Sequence, residues 1–312
     1  MKKTTSIFWI GNLTFLMVIL LGLQVSLMQT CSVQAQDTNG LVTETVNGGT
    51  SIFLSATKYD EEAYFVYRPY YGSVSIDVYK CTESMGYDIA VINENALYAD
   101  ITFGENKMYV AYVRAGETTH YSMMLAINTS NTWTFLDLFS LATATTYHPI
   151  ALAVQGSNYH VIAWDYFQIR YVNNSNYETE IQAFMNSTPC EPDVVLYNGR
   201  PIFAYHDNNR LVIAKDFNIN EHEGTFYYEY VPIIVDGIND TLPNSKVKMF
   251  IPSQGPDKDK WIIFYSLDNT NSIMCAVSTD EGNSWQLEKI ADGTLLDVDT
   301  DNLGNYYIIG KK

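Results

Sequence analysis

The sequence predicts an all-β fold: a six-bladed β-propeller of four-stranded antiparallel blades, with a five-bladed ring as the alternative. Three observations carry this. Beyond the first 35 residues no stretch shows the 3.6-residue apolar period of a helix. Pairs of short β runs joined by Gly or Asn turns recur along the rest of the chain. The second run of each pair is apolar on both faces, as a strand sandwiched between neighbouring sheets must be.

The pairs follow in order. They are 51–54 with 64–68, 99–103 with 108–114, 148–154 with 159–165, 191–197 with 201–207, 246–251 with 261–266, and 296–299 with 306–309. The second runs centre near residues 65, 111, 163, 204, 264 and 309. That is a blade period of about 40 to 50 residues with loop insertions. Each pair is followed by two weaker strand signals, so each unit makes a four-stranded meander with its first strand on a central channel. The last unit holds only two strands before Lys312. Segment 41–46 is the candidate to complete it, because joining the chain ends leaves no open sheet edge.

At 312 residues and 47% hydrophobic content, the chain can bury a sizeable core. Its 24 tyrosines favour strands. A net charge of −17, with no basic cluster after Lys2-Lys3, argues against nucleic acid and against anionic membrane surfaces as partners. Lys2 and Lys3 precede an apolar run over 7–27, and Val33-Gln34-Ala35 supplies the small residues a signal peptidase reads. The expectation is a signal peptide over 1–35, cleaved before Gln36, and one propeller domain over 36–312. The alternatives are an uncleaved anchor and lipidation at Cys31, for which Thr30 is a poor preceding residue. Cys81, Cys190 and Cys275 remain. Three thiols cannot all pair within one chain, and no histidine is placed to build a zinc site with them.

The stretch Ser278-Thr279-Asp280-Glu281-Gly282-Asn283-Ser284-Trp285 lies between two strand-like runs. Asp280 can accept from turn amides, Gly282 can take positive φ, and Trp285 opens the return strand with a large apolar ring. Ser-x-Asp-x-Gly-x-Ser-Trp resembles the Asp box (BNR repeat) of the sialidase superfamily. Asn128 and Trp133 match Asp280 and Trp285 three periods earlier. The resemblance implies a six-bladed sialidase-type propeller in which this turn is structural and sits on the face opposite any site.

The loops leading into first strands and the turns after second strands share the other face. They carry Tyr98, Asp100, Tyr147, His148, Glu191 and Asp193, and Arg68, Arg114, Asp165, His206, Asp207, Arg210 and Asp268. Aromatic and acidic groups around a shallow pocket suit carbohydrate. Candidate ligand-binding residues are Arg68, Arg114, Asp165, His148, His206, Asp207 and Tyr147, and candidate catalytic carboxylates are Glu191, Asp100 and Asp165.

A sialidase also uses an arginine triad for the substrate carboxylate, a Tyr–Glu pair and an acid/base Asp. This chain departs from that set. It has no Arg-Ile-Pro-like stretch near its start, and Arg68-Pro69 comes at the end of a second strand rather than leading into a first. Arg200 falls in a turn on the far face. The expected function is therefore non-catalytic binding of a glycan or an extracellular protein by an exported domain. The alternatives are a glycoside hydrolase and a structural envelope module. No cofactor or metal is expected. Gly-x-Ser-x-Gly and His-Glu-x-x-His are absent, and 297–302 begins like a calcium loop but has Asn302 where Gly belongs. Asn128, Asn173, Asn186 and Asn239 begin glycosylation sequons.

Overall fold

The computed structural model describes residues 7–8, 31–37, 40–46, 52–60, 62–69, 75–81, 86–92, 95–116, 120–142, 149–166, 168–174, 179–181, 190–207, 210–222, 225–234, 245–267, 270–300 and 306–311. Three strands come first: β1 (Ile7–Phe8), β2 (Cys31–Asp37) and β3 (Gly40–Val46). Blade one is β4 (Ile52–Tyr59), β5 (Glu62–Arg68), β6 (Ile76–Cys81) and β7 (Gly86–Ile92). Blade two is β8 (Ala96–Gly104), β9 (Lys107–Ala115), β10 (Tyr121–Thr129) and β11 (Thr132–Leu141). Blade three is β12 (Ile150–Gln155), β13 (Asn158–Asp165), β14 (Gln168–Asn173) and β15 (Thr179–Ile181). Blade four is β16 (Asp193–Tyr197), β17 (Arg200–Asp207), β18 (Arg210–His222) and β19 (Thr225–Ile234). Blade five is β20 (Lys248–Phe250), β21 (Trp261–Leu267), β22 (Ser272–Ser278) and β23 (Gln286–Asp292). The sixth unit is β24 (Thr294–Thr300) and β25 (Tyr306–Lys311), with β1 on the outer edge of β25.

In the five complete blades the strands are hydrogen-bonded in chain order, all antiparallel. The fold is a six-bladed β-propeller. Burial explains the radial order. Second strands are covered on both faces: β9, β13 and β21 are buried at nearly every position. Outermost strands face water, and β11 and β23 are mostly exposed. From blade one to blade six, successive blades share cores. Val66, Ile76 and Val110 join blades one and two; Ala111, Leu125 and Val161 join two and three. Trp164, Tyr171 and Phe203 join three and four; Ile213, Trp261 and Ile263 join four and five; Phe264, Val298 and Ile308 join five and six. Inner strand β24 packs against β4, which brings the last unit round to the first.

Two features differ from expectation. Segment 41–46 does not pair with the last blade; β3 pairs with β2, from Cys31↔Val46 to Asp37↔Gly40. The short connection makes that hairpin the cheaper contact in loop entropy. The edge of β25 is instead taken by Ile7 and Phe8, opposite Ile309 and Ile308.

Candidate functional site

In an antiparallel meander, the turns between first and second strands lie on the same face as those between third and fourth. Contacts agree. The Tyr197 hydroxyl, in the first hairpin of blade four, donates to Glu281 Oε1 in the β22–β23 loop of blade five at 3.2 Å. That loop is built around Asp280. Ser284 donates its amide to Oδ1 at 2.8 Å and its hydroxyl to Oδ2 at 2.6 Å, and Ser278 Oγ donates to Oδ1 at 2.8 Å. These donors hold the Asp280 carboxyl down at about 2. Gly282 has φ 83°, and its amide donates to Ser278 Oγ at 2.8 Å. Trp285 Nε1 donates to the Gly282 carbonyl at 3.1 Å, while the ring packs on the core between blades four and five.

The matched turn at Asn128 is a shorter relative. Asn128 Oδ1 accepts from the Asn131 amide at 3.1 Å, and Trp133 packs on the core between blades one and two. Positive φ at Ser130 (51°) and Asn131 (65°) makes it a two-residue hairpin of the primed kind.

The central channel is lined by first strands. Asp100 Oδ2 accepts from the Leu152 amide of blade three at 2.8 Å, and Oδ1 from Ser55 Oγ of blade one and from the Ile101 amide. Asp193 Oδ2 accepts in the same way from the Met249 amide of blade five at 2.7 Å. Lys248 reaches Asp193 at 3.6 Å, and Lys246 reaches Asp297 at 3.2 Å. Burial would lower the Lys248 ammonium, but Asp193, Asp100, Asp297 and Asp299 together hold it above the usual lysine range. Asp100, a candidate catalytic carboxylate from sequence, is thus a buried staple between blades, with protein donors on both oxygens.

Asp165 has a similar role. Its Oδ1 accepts from the Ala142 amide at 2.6 Å and its Oδ2 from Arg170 Nε at 3.0 Å. It is 1% exposed. Arg170 also lies 4.4 Å from the centre of the Phe139 ring. Arg114 pairs with Asp137 across its own blade at 2.8 Å, half in solvent, a contact of small energetic weight. His206 is buried at the blade four–five seam. Its Nε2 is 3.4 Å from Ser245 Oγ, its Nδ1 has no partner, and burial lowers its pKa to about 3. It is a neutral packing histidine. Tyr147, His148 and Asp268 lie outside the described residues.

What remains on the predicted face is a smaller group. Tyr98, from the start of β8, is pushed up to about 12 by burial, with the Glu191 carboxylate adding, Arg68 opposing and Tyr121 contributing. Blades one, two and four therefore place Arg68, Tyr121 and Glu191 within electrostatic reach of the Tyr98 phenol. Arg68 is partly exposed, and its Nε is buried without a partner. Glu191 sits where the chain turns into blade four, in a parallel bridge to Lys246. Asp207 lies on the same side. Burial raises its carboxyl, Arg210 opposes that, and Asp207 and Glu191 both act on the buried Cys190 thiol. Cys190 and Cys275 are buried, and neither is in a disulfide. Among the described residues, no three His, Cys, Asp or Glu side chains are grouped to hold a metal.

Tyr121 and the two channel lysines are what sequence reasoning left out of the candidate set. The lysines had a signal: they alternate in a first strand, where one face must meet the channel. Tyr121 opens a third strand and had none.

No family model matches the sequence, and no curated protein matches it. Solved structures do. A fungal lectin from Aleuria aurantia, a six-bladed propeller, superposes with TM-score 0.52 at 12% identity, over 84% of this chain and 90% of the lectin. Trypanosoma rangeli sialidase superposes with TM-score 0.53 at 13% identity, over 91% of this chain. The chain shares their propeller fold. The likeness is one of fold, and it spans 58% of the sialidase.

Proposed function

We propose that this propeller is exported and binds a glycan, without turning it over, on the face that carries Arg68, Tyr98, Tyr121 and Glu191. The observation behind this is Arg68. A guanidinium with a buried, unpartnered Nε beside phenols and a carboxylate is a donor set awaiting an oxygen-rich ligand. Tyrosine faces suit the apolar side of a sugar ring, and Glu191 can accept from its hydroxyls. Two of the three candidate catalytic carboxylates, Asp100 and Asp165, already have protein donors on both oxygens. The comparisons support the ligand class: one neighbour is a lectin with a fucose recognition mode and another a sialidase. Lys2-Lys3 and the apolar run 7–27 support export.

The test is a glycan array run with the exported protein, alongside a fluorogenic sialoside. Binding without turnover is expected. Arg68→Ala removes charge-assisted hydrogen bonds of about 1.5–3 kcal/mol, so affinity falls about tenfold to a hundredfold. Unchanged binding by that variant would remove the site.

One observation favours a second reading, glycoside hydrolysis. Burial raises the Asp207 carboxyl, and Asp207 and Glu191 both act on the Cys190 thiol; a glycosidase uses one raised carboxyl and one ionised carboxylate. Sialoside turnover that Glu191→Gln abolishes would establish it.

A further inference from the structure

We propose that in the exported protein the β2–β3 hairpin docks on β25 and supplies the third and fourth strands of the sixth blade, and that processing therefore cuts upstream of β2 rather than inside it. Five blades have four strands; the sixth has β24, β25 and the two residues of β1. β1 lies in the apolar segment that export would remove, so removal leaves the edge of β25 open. An open edge of alternating N–H and C=O groups recruits a strand.

The chain already holds a partner of the right form. β2 and β3 are antiparallel neighbours, as the third and fourth strands of every complete blade are. In chain order each complete blade's fourth strand is followed by the next inner strand, and β23 reaches β24 through Gly293 alone. β3 leads to the inner strand β4 through residues 47–51. Those residues reach about 17 Å when extended, against about 14 Å for three strand spacings. Directions also agree. With β2 antiparallel to β25, as β1 now is, β3 runs towards the face where β4 begins.

Blade one shows an uncovered place for the hairpin. Val91 of β7 stands opposite Asp77 and is 51% exposed. Its neighbours across the sheet, Val78 and Ala90, belong to the core with blade two, so Val91 faces the sixth blade. A cut between Ala35 and Gln36 would leave only Gln36 and Asp37 of β2.

The inference rests on the export reading, and one experiment separates the two. The chain is expressed with its own N terminus, the exported protein is collected, its first residue is read from intact mass, and amide exchange is followed. The expected first residue is Cys31 or one upstream of it, with Ile7 and Phe8 gone. The amides of β25 that do not bond β24 should exchange on the order of a hundredfold or more slower than open peptide, together with those of β2. Free exchange at those β25 amides overturns the docking, and so does a first residue at Gln36 or beyond. An exported chain that keeps Met1 overturns this inference alone. A chain retained in the cytoplasm with Met1 intact overturns both this inference and export.

Discussion

Asp280 shows how one side chain can be given a fixed structural role by local spacing. Its partners Ser278 and Ser284 lie within four residues, so any chain with this octapeptide can form the contacts. The carboxyl stands at about 2 against an ordinary 3.8. A lowered folded-state value contributes stability that is full above the unfolded value and is lost as pH falls through the folded one. The melting-temperature gap between the native chain and Asp280→Asn should therefore be constant above about pH 5 and close towards pH 2. A gap that widens on acidification contradicts the assignment. Asp100 and Asp165 teach the opposite lesson. In sequence they were polar residues at strand ends, indistinguishable from Glu191. The donors that tie them to other blades come from residues 52 and 23 positions away, and no local pattern points to those.

At the scale of elements, strand identity was legible and strand neighbours were not. The doubly apolar second runs became β5, β9, β13, β17, β21 and β25 because only burial on both sides accommodates Tyr-Val-Ala-Tyr-Val or Trp-Ile-Ile-Phe-Tyr. Turn chemistry also carried over: Gly199 and Asn198 close β16–β17 with φ 74° and 52°. Gly104 is a different case. A Cβ there would meet Val154 Cγ1 at 2.3 Å and the Gly156 carbonyl at 2.5 Å, both from blade three. It is a glycine of close approach between blades. Gly104→Ala should cost about 1–3 kcal/mol, read as an earlier urea midpoint at unchanged slope. Wild-type stability in that variant would mean the two blades part easily.

The whole molecule is held by its inner ring as well as by the cores between blades. Asp100 and Asp193 each reach the next blade's first strand, and Lys246 and Lys248 set cations against Asp297 and Asp193. Lys248→Met leaves Asp193 and its neighbours without that charge in a buried site, so stability should fall by about 3 kcal/mol or more. Adding Asp193→Asn should recover part of the loss, because the two residues are coupled. Strict additivity in the double variant would place the pair outside the ring's energetics.

By itself the sequence determined the class of this protein: strands of period two, a blade repeat, two tryptophan turns and an acidic surface all follow from local composition and spacing. Only the tertiary structure decided which carboxylates are staples between blades. That depends on donors brought from other blades, and the closing of a ring sets those distances. The proposed site at Arg68, Tyr98 and Glu191 has the same origin: each lies at a strand end or entry, and the Tyr98 phenol feels charges from blades one and four.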